Sequence, residues 1–436
     1  MTANTTSSVT RRDFLRNSAA ATATVAALGA LDISRFVHAA GSDIIKIGMI
    51  GCGGRAAGAV GQILTADKGA HLVALCDILK DRVQAKREEL KTQAPGQTVV
   101  ADDHCFVGFD AYKQVIAESD AVVIANAAKF HPLHALTALQ AGKHVFVEKP
   151  HGIDPAGIKM IKAAADLAKE KKLCLVSGLH SRYHAGYQET VKRIHDGAIG
   201  DIVSIEENFL RPPYGVVPRN PDLNELQWQA STQYHFVWMS GDDVVQSLVH
   251  NLDRASWCMK EAAPITCHGL GGRSTMTDAI YGDVFDHHSV VYQFPNNVRL
   301  YAFCRTTTGC YDEYSSLIFG TKGRADLMRC RIWGETNWRG EEGHDAHYQE
   351  QVEYMKAIRA GTPINNGDYM VRSTLTAIMG QISCYTGKEV SWEQINQSDF
   401  FFPPKPQECH DSMEPPTKPG QNGSYPVFVP GRTTLI

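Results

Sequence analysis

A glycine-rich turn between two opposed periodicities constrains this chain most. The apolar, β-branched run Ile44–Ile50 ends at Gly51-Cys52-Gly53-Gly54-Arg55, and a helical pattern resumes over 56–64. Strand, tight turn and helix in that order are what G-x-G-x-x-G/A requires, with Ala56 in the third, tolerant place. Gly51 permits the turn, Gly53 and Gly54 admit a pyrophosphate to the backbone, Arg55 opens the helix, and the helix N-terminus faces the phosphates. A second strand, His71–Cys76, ends in Asp77, placed to accept the two ribose hydroxyls. A carboxylate there repels a 2′-phosphate and Ile78 offers no compensating charge, so the expected cofactor is NAD rather than NADP.

The alternation continues with helices over 80–93 and 110–117, a strand over 121–125, a helix over 132–140 and a strand over 143–147. Strands separated by helices imply a parallel, doubly wound Rossmann sheet, assigned to residues 44–150. From Asp201 onward the runs 202–209, 265–270, 289–294, 298–304 and 315–319 read as strands of an open, mainly antiparallel sheet, with helices over 346–360 and 369–386. The expected fold is therefore α/β, with an α+β substrate and oligomerisation domain over 151–400. The proline-rich stretch 401–436 lacks periodicity and is expected to wrap the surface or a neighbouring subunit, or to be partly disordered.

Ahead of these domains, Thr10-Arg11-Arg12-Asp13-Phe14-Leu15-Arg16 precedes a short, weakly apolar stretch, Ala19–Leu31, and Val37-His38-Ala39 has the small-residue pattern of a signal-peptidase site. The paired arginines resemble a twin-arginine signal over 1–39, implying passage through the twin-arginine translocase and a periplasmic or otherwise exported location. That route carries folded proteins, which lets a cofactor be taken up before export. The stretch is too short to span a bilayer, and no later one is long and apolar enough.

A net charge of -4 with 21% charged residues gives no basic surface for nucleic acid. The 11 cysteines are scattered, with no C-x-x-C pair; they read as buried apolar residues, with room for one or two disulfides. Asp286-His287-His288 and the pair His344 and His347 lack a closed ligand set, so no metal is expected. Aromatic and proline residues between Arg211 and Tyr234 suit either sugar stacking or loop anchoring, with anchoring slightly favoured.

Glu148-Lys149-Pro150, after Ala141-Gly142-Lys143-His144-Val145, resembles the Gfo/Idh/MocA family of sugar and polyol oxidoreductases. His131-Pro132-Leu133-His134, Asp196–Ile202 and Ile318–Gly323 agree with it, and the resemblance runs from about Lys46 to Trp392. It implies that Lys149 is the active-site lysine, placed between nicotinamide and substrate on a cis bond to Pro150, and that Lys149, Glu148 and His131 border the cofactor. The family's D-x-x-x-H helix reads Gln246 to His250 here. His250 matches and would take the hydroxyl proton; Gln246, in place of the acid, cannot stabilise an imidazolium as a carboxylate would. Gln246 and Asp253, which lies one turn further on, are expected to bind substrate. In Ser177–Tyr183, Tyr183 has the spacing to Gly197 of a catalytic tyrosine in the family's NAD-dependent glycosidase branch, with His180 and Arg182 beside it as substrate-binding candidates. His344 and His347 fall before a helix that the resemblance turns toward the cleft without fixing roles.

Three functions follow. The first is oxidation of a sugar, glycoside or polyol by Lys149 and His250 with tightly bound NAD. The second is a redox-neutral NAD-dependent glycosidase using Tyr183. The third is a non-catalytic carbohydrate-binding protein, for which Gln246 speaks. Export favours a resident cofactor: a Kd of about 1 nM with association near 10⁶ M⁻¹s⁻¹ would release it in roughly a quarter of an hour. An open sheet with one exposed face implies pairing with further copies of the chain.

Overall fold

The computed structural model describes residues 43–436 apart from 342 and 422. The twin-arginine segment and its cleavage pattern lie outside the described residues.

Six parallel strands form the first sheet: β1 (Ile45–Ile50), β2 (Ala70–Asp77), β3 (Cys105–Val107), β4 (Ala121–Ile124), β5 (His144–Val147) and β6 (Leu175–Ser177), in the order β3-β2-β1-β4-β5-β6. Helices α1 (Gly54–Ala66), α2 (Lys80–Gln93), α3 (Ala111–Glu118), α4 (His131–Gln140) and α5 (Pro155–Lys171) connect them. The central strand β4, Ala-Val-Val-Ile, is wholly buried because helices cover both faces, the usual fate of a parallel strand. The strand order reverses between β1 and β4, opening a crevice at their carboxyl ends. The sheet takes its last strand from 175–177, so the nucleotide domain runs past the expected boundary at 150.

After α6 (Ala185–His195) the chain enters a nine-stranded sheet: β7 (Ile202–Arg211), β8 (Thr266–Gly272), β9 (His287–Gln293), β10 (Arg299–Thr306), β11 (Glu313–Gly320), β12 (Gly323–Asp326), β13 (Arg331–Gly334), β14 (Trp338–Arg339) and β15 (Val390–Ser391). The order is β14-β13-β12-β11-β7-β10-β9-β8-β15, antiparallel except where β10 runs parallel to β7. One face presents Ile205, Leu300, Tyr292 and Cys267 in register, and α7 (Val249–Cys258) and α9 (Gly367–Thr386) pack against it. Between them, α8 (Ala346–Ala360) returns to the first sheet, where Tyr354, Met355 and Ile358 join the core of Ile47 and Phe146. This return seats the start of α8 beside the crevice.

Residues 401–436 are ordered against their own chain. Lys129 Nζ donates to the Phe402 carbonyl at 2.6 Å, the Phe109 amide to Asp411 at 3.1 Å and Gln229 to the Thr417 carbonyl at 2.8 Å. Tyr425 is buried against Phe236. All 11 cysteines are free and nine are buried, so the expected room for disulfides is unused.

Candidate functional site

The crevice begins at the turn read from the sequence. Gly51 has φ of +95°, its amide donates to the Cys76 carbonyl at 2.8 Å, and a Cβ there would meet the Asn126 amide nitrogen at 2.7 Å. Any side chain at 51 is therefore excluded by conformation and by space. A Cβ on Gly53 or Gly54 would meet nothing within 4 Å, so that side is open to a ligand. No side chain caps α1 at Gly53, leaving its first amides free to face phosphate.

Asp77 closes β2. Its carboxylate accepts from the Cys52 amide at 2.8 Å and the Leu79 amide at 3.0 Å, which fixes it at the cleft edge with further lone pairs for hydroxyls. Gly51, Gly53, Asp77, Ile78 and Arg82 line a cleft of about 650 Å³, walled on the far side by Ala230, Gln233 and Met239. Arg82 is engaged with the Ser231 carbonyl at 2.7 Å. The glycine turn, the open helix end and the ribose-side acid together fit NAD.

A second cleft of about 740 Å³ shares Ala125, Asn126 and Gln233 with the first. Glu148 and Lys149 follow β5 into it, and the Lys149–Pro150 bond is cis, as the resemblance implied. Lys149 Nζ donates to the Gln246 carbonyl at 2.7 Å. Gln246 lies in a π-helical turn, Val244–Leu248, that feeds α7, and both Gln246 and His250 line the cleft. Such π turns often mark functional sites.

His131 also borders this cleft, but its ring serves as a fastener. Nδ1 lies 2.7 Å from the Pro150 carbonyl and Nε2 3.0 Å from the Asn126 carbonyl, tying the lysine loop to the end of β4. Arg55 lies in this second cleft and is not among the residues lining the nucleotide cleft: Nε pairs with Glu148 at 2.5 Å and an amino group with Glu350 at 3.1 Å.

Burial pushes His250 well below the usual imidazole range, and the Lys149 cation adds to it. Burial likewise lowers His347 and His180. Burial and the neighbouring Glu148 raise the Glu350 carboxyl, with Arg55 acting against them.

Several expected residues lie elsewhere. Arg182 grips Asp253 at 2.8 and 2.9 Å and also pairs with Glu261, its guanidinium stacked on Trp257 and Tyr369. Asp253 is fully buried and takes a further bond from Ser373 at 2.8 Å. Neither lines the cleft, because the ion pair joins α7 and α9 to the turn at 180–183. Tyr183, partly buried against the nucleotide-domain core, donates to Asn366 at 3.1 Å and does not line the cleft. His180 stands behind the cleft, its ring centroid 5.0 Å from that of His250 and 3.8 Å from that of His347. His288 is buried beside Asp242, and His287 is paired with Asp286 outside the cleft. Among the described residues no group of His, Cys, Asp or Glu is arranged to hold a metal.

The sequence did not single out Asn126, Tyr234, Glu350 or a role for His347. Tyr234 reaches the cleft from the aromatic stretch and stacks on Tyr214 at 4.2 Å, which itself lies under Arg211; anchoring and lining are thus combined.

Residues 45–179 match the family model described as GFO_IDH_MocA, oxidoreductase family, NAD-binding Rossmann fold. The chain is 27% identical over 219 residues to inositol 2-dehydrogenase 3 of Saccharopolyspora erythraea, covering 50% of this chain and 54% of that one, about half of the relative's length. It is 27% identical over 335 residues to inositol 2-dehydrogenase of Rhodococcus erythropolis, covering 74% and 86%. Scyllo-inositol dehydrogenase from Lactobacillus casei, solved with bound NAD(H) and scyllo-inositol, superposes with a TM-score of 0.61 at 20% identity over 80% of this chain and 99% of that one, a likeness of fold. Residues 45–179 accordingly form an NAD-binding Rossmann domain of the Gfo/Idh/MocA type.

Proposed function

We propose that the protein oxidises a secondary hydroxyl of a polyol or sugar, with NAD held as a resident cofactor. The carrying observation is the junction of the two clefts at Asn126, with Lys149 fixed there by the Gln246 carbonyl. The similarity to inositol dehydrogenases favours a polyol. NAD bound through Gly51–Gly54 and Asp77 supplies the hydride acceptor. Lys149 then points a cation at the reacting oxygen, stabilising negative charge as the O–H bond breaks. Asn126, Gln246 and Tyr234 orient the remaining hydroxyls, and the neutral histidines leave acceptor nitrogens for the proton. A panel of inositols and sugars should raise absorbance at 340 nm with NAD; no rise with any of them would reject this reading.

Retention is supported by the far wall of the nucleotide cleft. Ala230, Gln233 and Met239 belong to the segment between β7 and α7, which the C-terminal residues fasten through Thr417 and Tyr425. Combined with the export signal proposed for 1–39, this gives a periplasmic enzyme that carries its cofactor out with it. Protein purified without added nucleotide should release close to one NAD per chain on denaturation. Asp77→Ala should weaken NAD by about 10- to 100-fold, the loss of hydrogen bonds to a charged group, measured by calorimetry.

Against the glycosidase alternative speaks Tyr183, which bonds to Asn366 and does not line the second cleft. Tyr183→Phe is expected to leave turnover unchanged while lowering stability by about 0.5–1.5 kcal/mol in urea unfolding. Pairing of copies is supported by the second face of the large sheet, where Val291, Tyr301, Phe303 and Leu317 are only partly covered and Leu270 is 76% exposed. Light scattering should return a multiple of the chain mass.

A further inference from the structure

We propose that His347, backed by Glu350, takes the hydroxyl proton in this cleft, a task that the D-x-x-x-H pattern assigns to His250. The inference rests on the oxidoreductase reading above and names the proton acceptor within that same site.

Position 246 departs from that pattern. An amide stands where the pattern has an acid, so α7 brings no carboxylate to His250. The charged and titratable groups acting on His250 are Lys149, Arg254, His180 and His347, all of them cationic when protonated. An imidazolium formed there would have only like charges for company.

His347 is placed differently. It enters the same cleft from the start of α8, and its Nδ1 lies 3.5 Å from Glu350 Oε1, one turn along the helix. Burial and Arg55 oppose a proton on it, as does Lys149, while Glu148 and Asp345 favour one; the His180 ring lies tilted against it, with centroids 3.8 Å apart. Of His250 and His347, only His347 has a carboxylate within 4 Å among the described residues.

Two buried atoms of this pair lack a hydrogen-bond partner, His347 Nδ1 and Glu350 Oε2, while Nδ1 lies 3.5 Å from the other carboxylate oxygen, Oε1. Buried polar atoms in a native protein are seldom left so, and catalytic hydrogen bonds often shorten only when substrate is bound. A closure of about 0.5 Å would bring the Nδ1–Glu350 contact to ordinary hydrogen-bond length. That bond sets the tautomer with the proton on Nδ1 and leaves Nε2 as the acceptor. In the step itself the substrate O–H proton passes to His347 Nε2, the C=O bond forms, and the hydride leaves the same carbon for the nicotinamide. The substrate loses two electrons and NAD gains them. Glu350 acts through His347 and is a positioning residue; Arg55, shared between Glu148 and Glu350, holds it in place.

His347→Ala should lose about 10²–10⁴-fold in kcat with NAD affinity unchanged, and added imidazole should restore part of it. His250→Ala should show no imidazole rescue. Glu350→Gln should lower kcat with KM unchanged, and Gln246→Asp added to it should recover activity by giving His250 the missing carboxylate. If His347→Ala retains kcat within threefold, or if imidazole rescues His250→Ala instead, the proposal is overturned. A second readout needs no turnover. In ¹⁵N-histidine spectra of the NAD-loaded protein, His347 should carry its proton on Nδ1 and titrate at higher pH than His250; the reverse order would overturn it. Failure of the wild type on every polyol would reject the oxidoreductase reading alone, and the spectra would still decide between the two histidines.

Discussion

Replacing Lys149 by methionine is expected to cost about 10³-fold in kcat while leaving NAD binding within a few-fold of wild type. The side chain is nearly isosteric up to its charge, so the cleft keeps its shape. What disappears is the ammonium held at 2.7 Å from the Gln246 carbonyl in the second cleft. It lines the second cleft and not the one bordered by Gly51, Gly53 and Asp77, so the residues expected to hold the phosphates and ribose are untouched. Stopped-flow absorbance at 340 nm gives the chemical step and calorimetry gives the NAD affinity. A variant within tenfold of wild type in the chemical step would show that charge at 149 is not what stabilises the reacting oxygen.

The second large effect concerns stability. Arg182→Met should destabilise the protein by about 3–5 kcal/mol, because it strands a carboxylate, Asp253, that has no exposure to water. The guanidinium bridges Asp253 and Glu261 and lies between two aromatic rings, so packing is lost together with charge. Methionine keeps part of that packing, which confines most of the effect to the broken pair. Urea unfolding measures it. If Arg182 held substrate instead, the variant would keep its midpoint and raise KM, and this measurement separates the two.

That contrast also marks what the residues disclose before folding. The glycine turn, Asp77 and Glu148-Lys149-Pro150 were legible because each is a local device: a φ, a strand end and a loop read from neighbours in sequence. The parallel sheet was legible for the same reason, since helical and strand periods alternate. Its sixth strand was not, because Leu175–Ser177 is three residues long and follows a long helix. Arg182 and Asp253 looked like site residues from their proximity to Tyr183 and His250. Their mutual pairing depends on how α7 packs against the turn at 180–183, which no local pattern encodes. His347 illustrates the converse. The resemblance turned its segment toward the cleft, but its partner Glu350 and its neighbour His180 meet only because α8 folds back onto the first sheet. The C-terminal stretch lacks periodicity because it binds through single anchors, Phe402, Asp411 and Tyr425, instead of through a helical or strand face.

The central claim is that hydride passes directly between a polyol carbon and NAD across the junction at Asn126 and Lys149. One measurement tests it most directly: a single turnover of NAD-loaded protein with an inositol deuterated at its ring carbons, followed by mass analysis of the recovered nucleotide. The account predicts NADH carrying one deuterium, formed in step with the ketone product. Deuterium lost to water with no label in the nucleotide would contradict it.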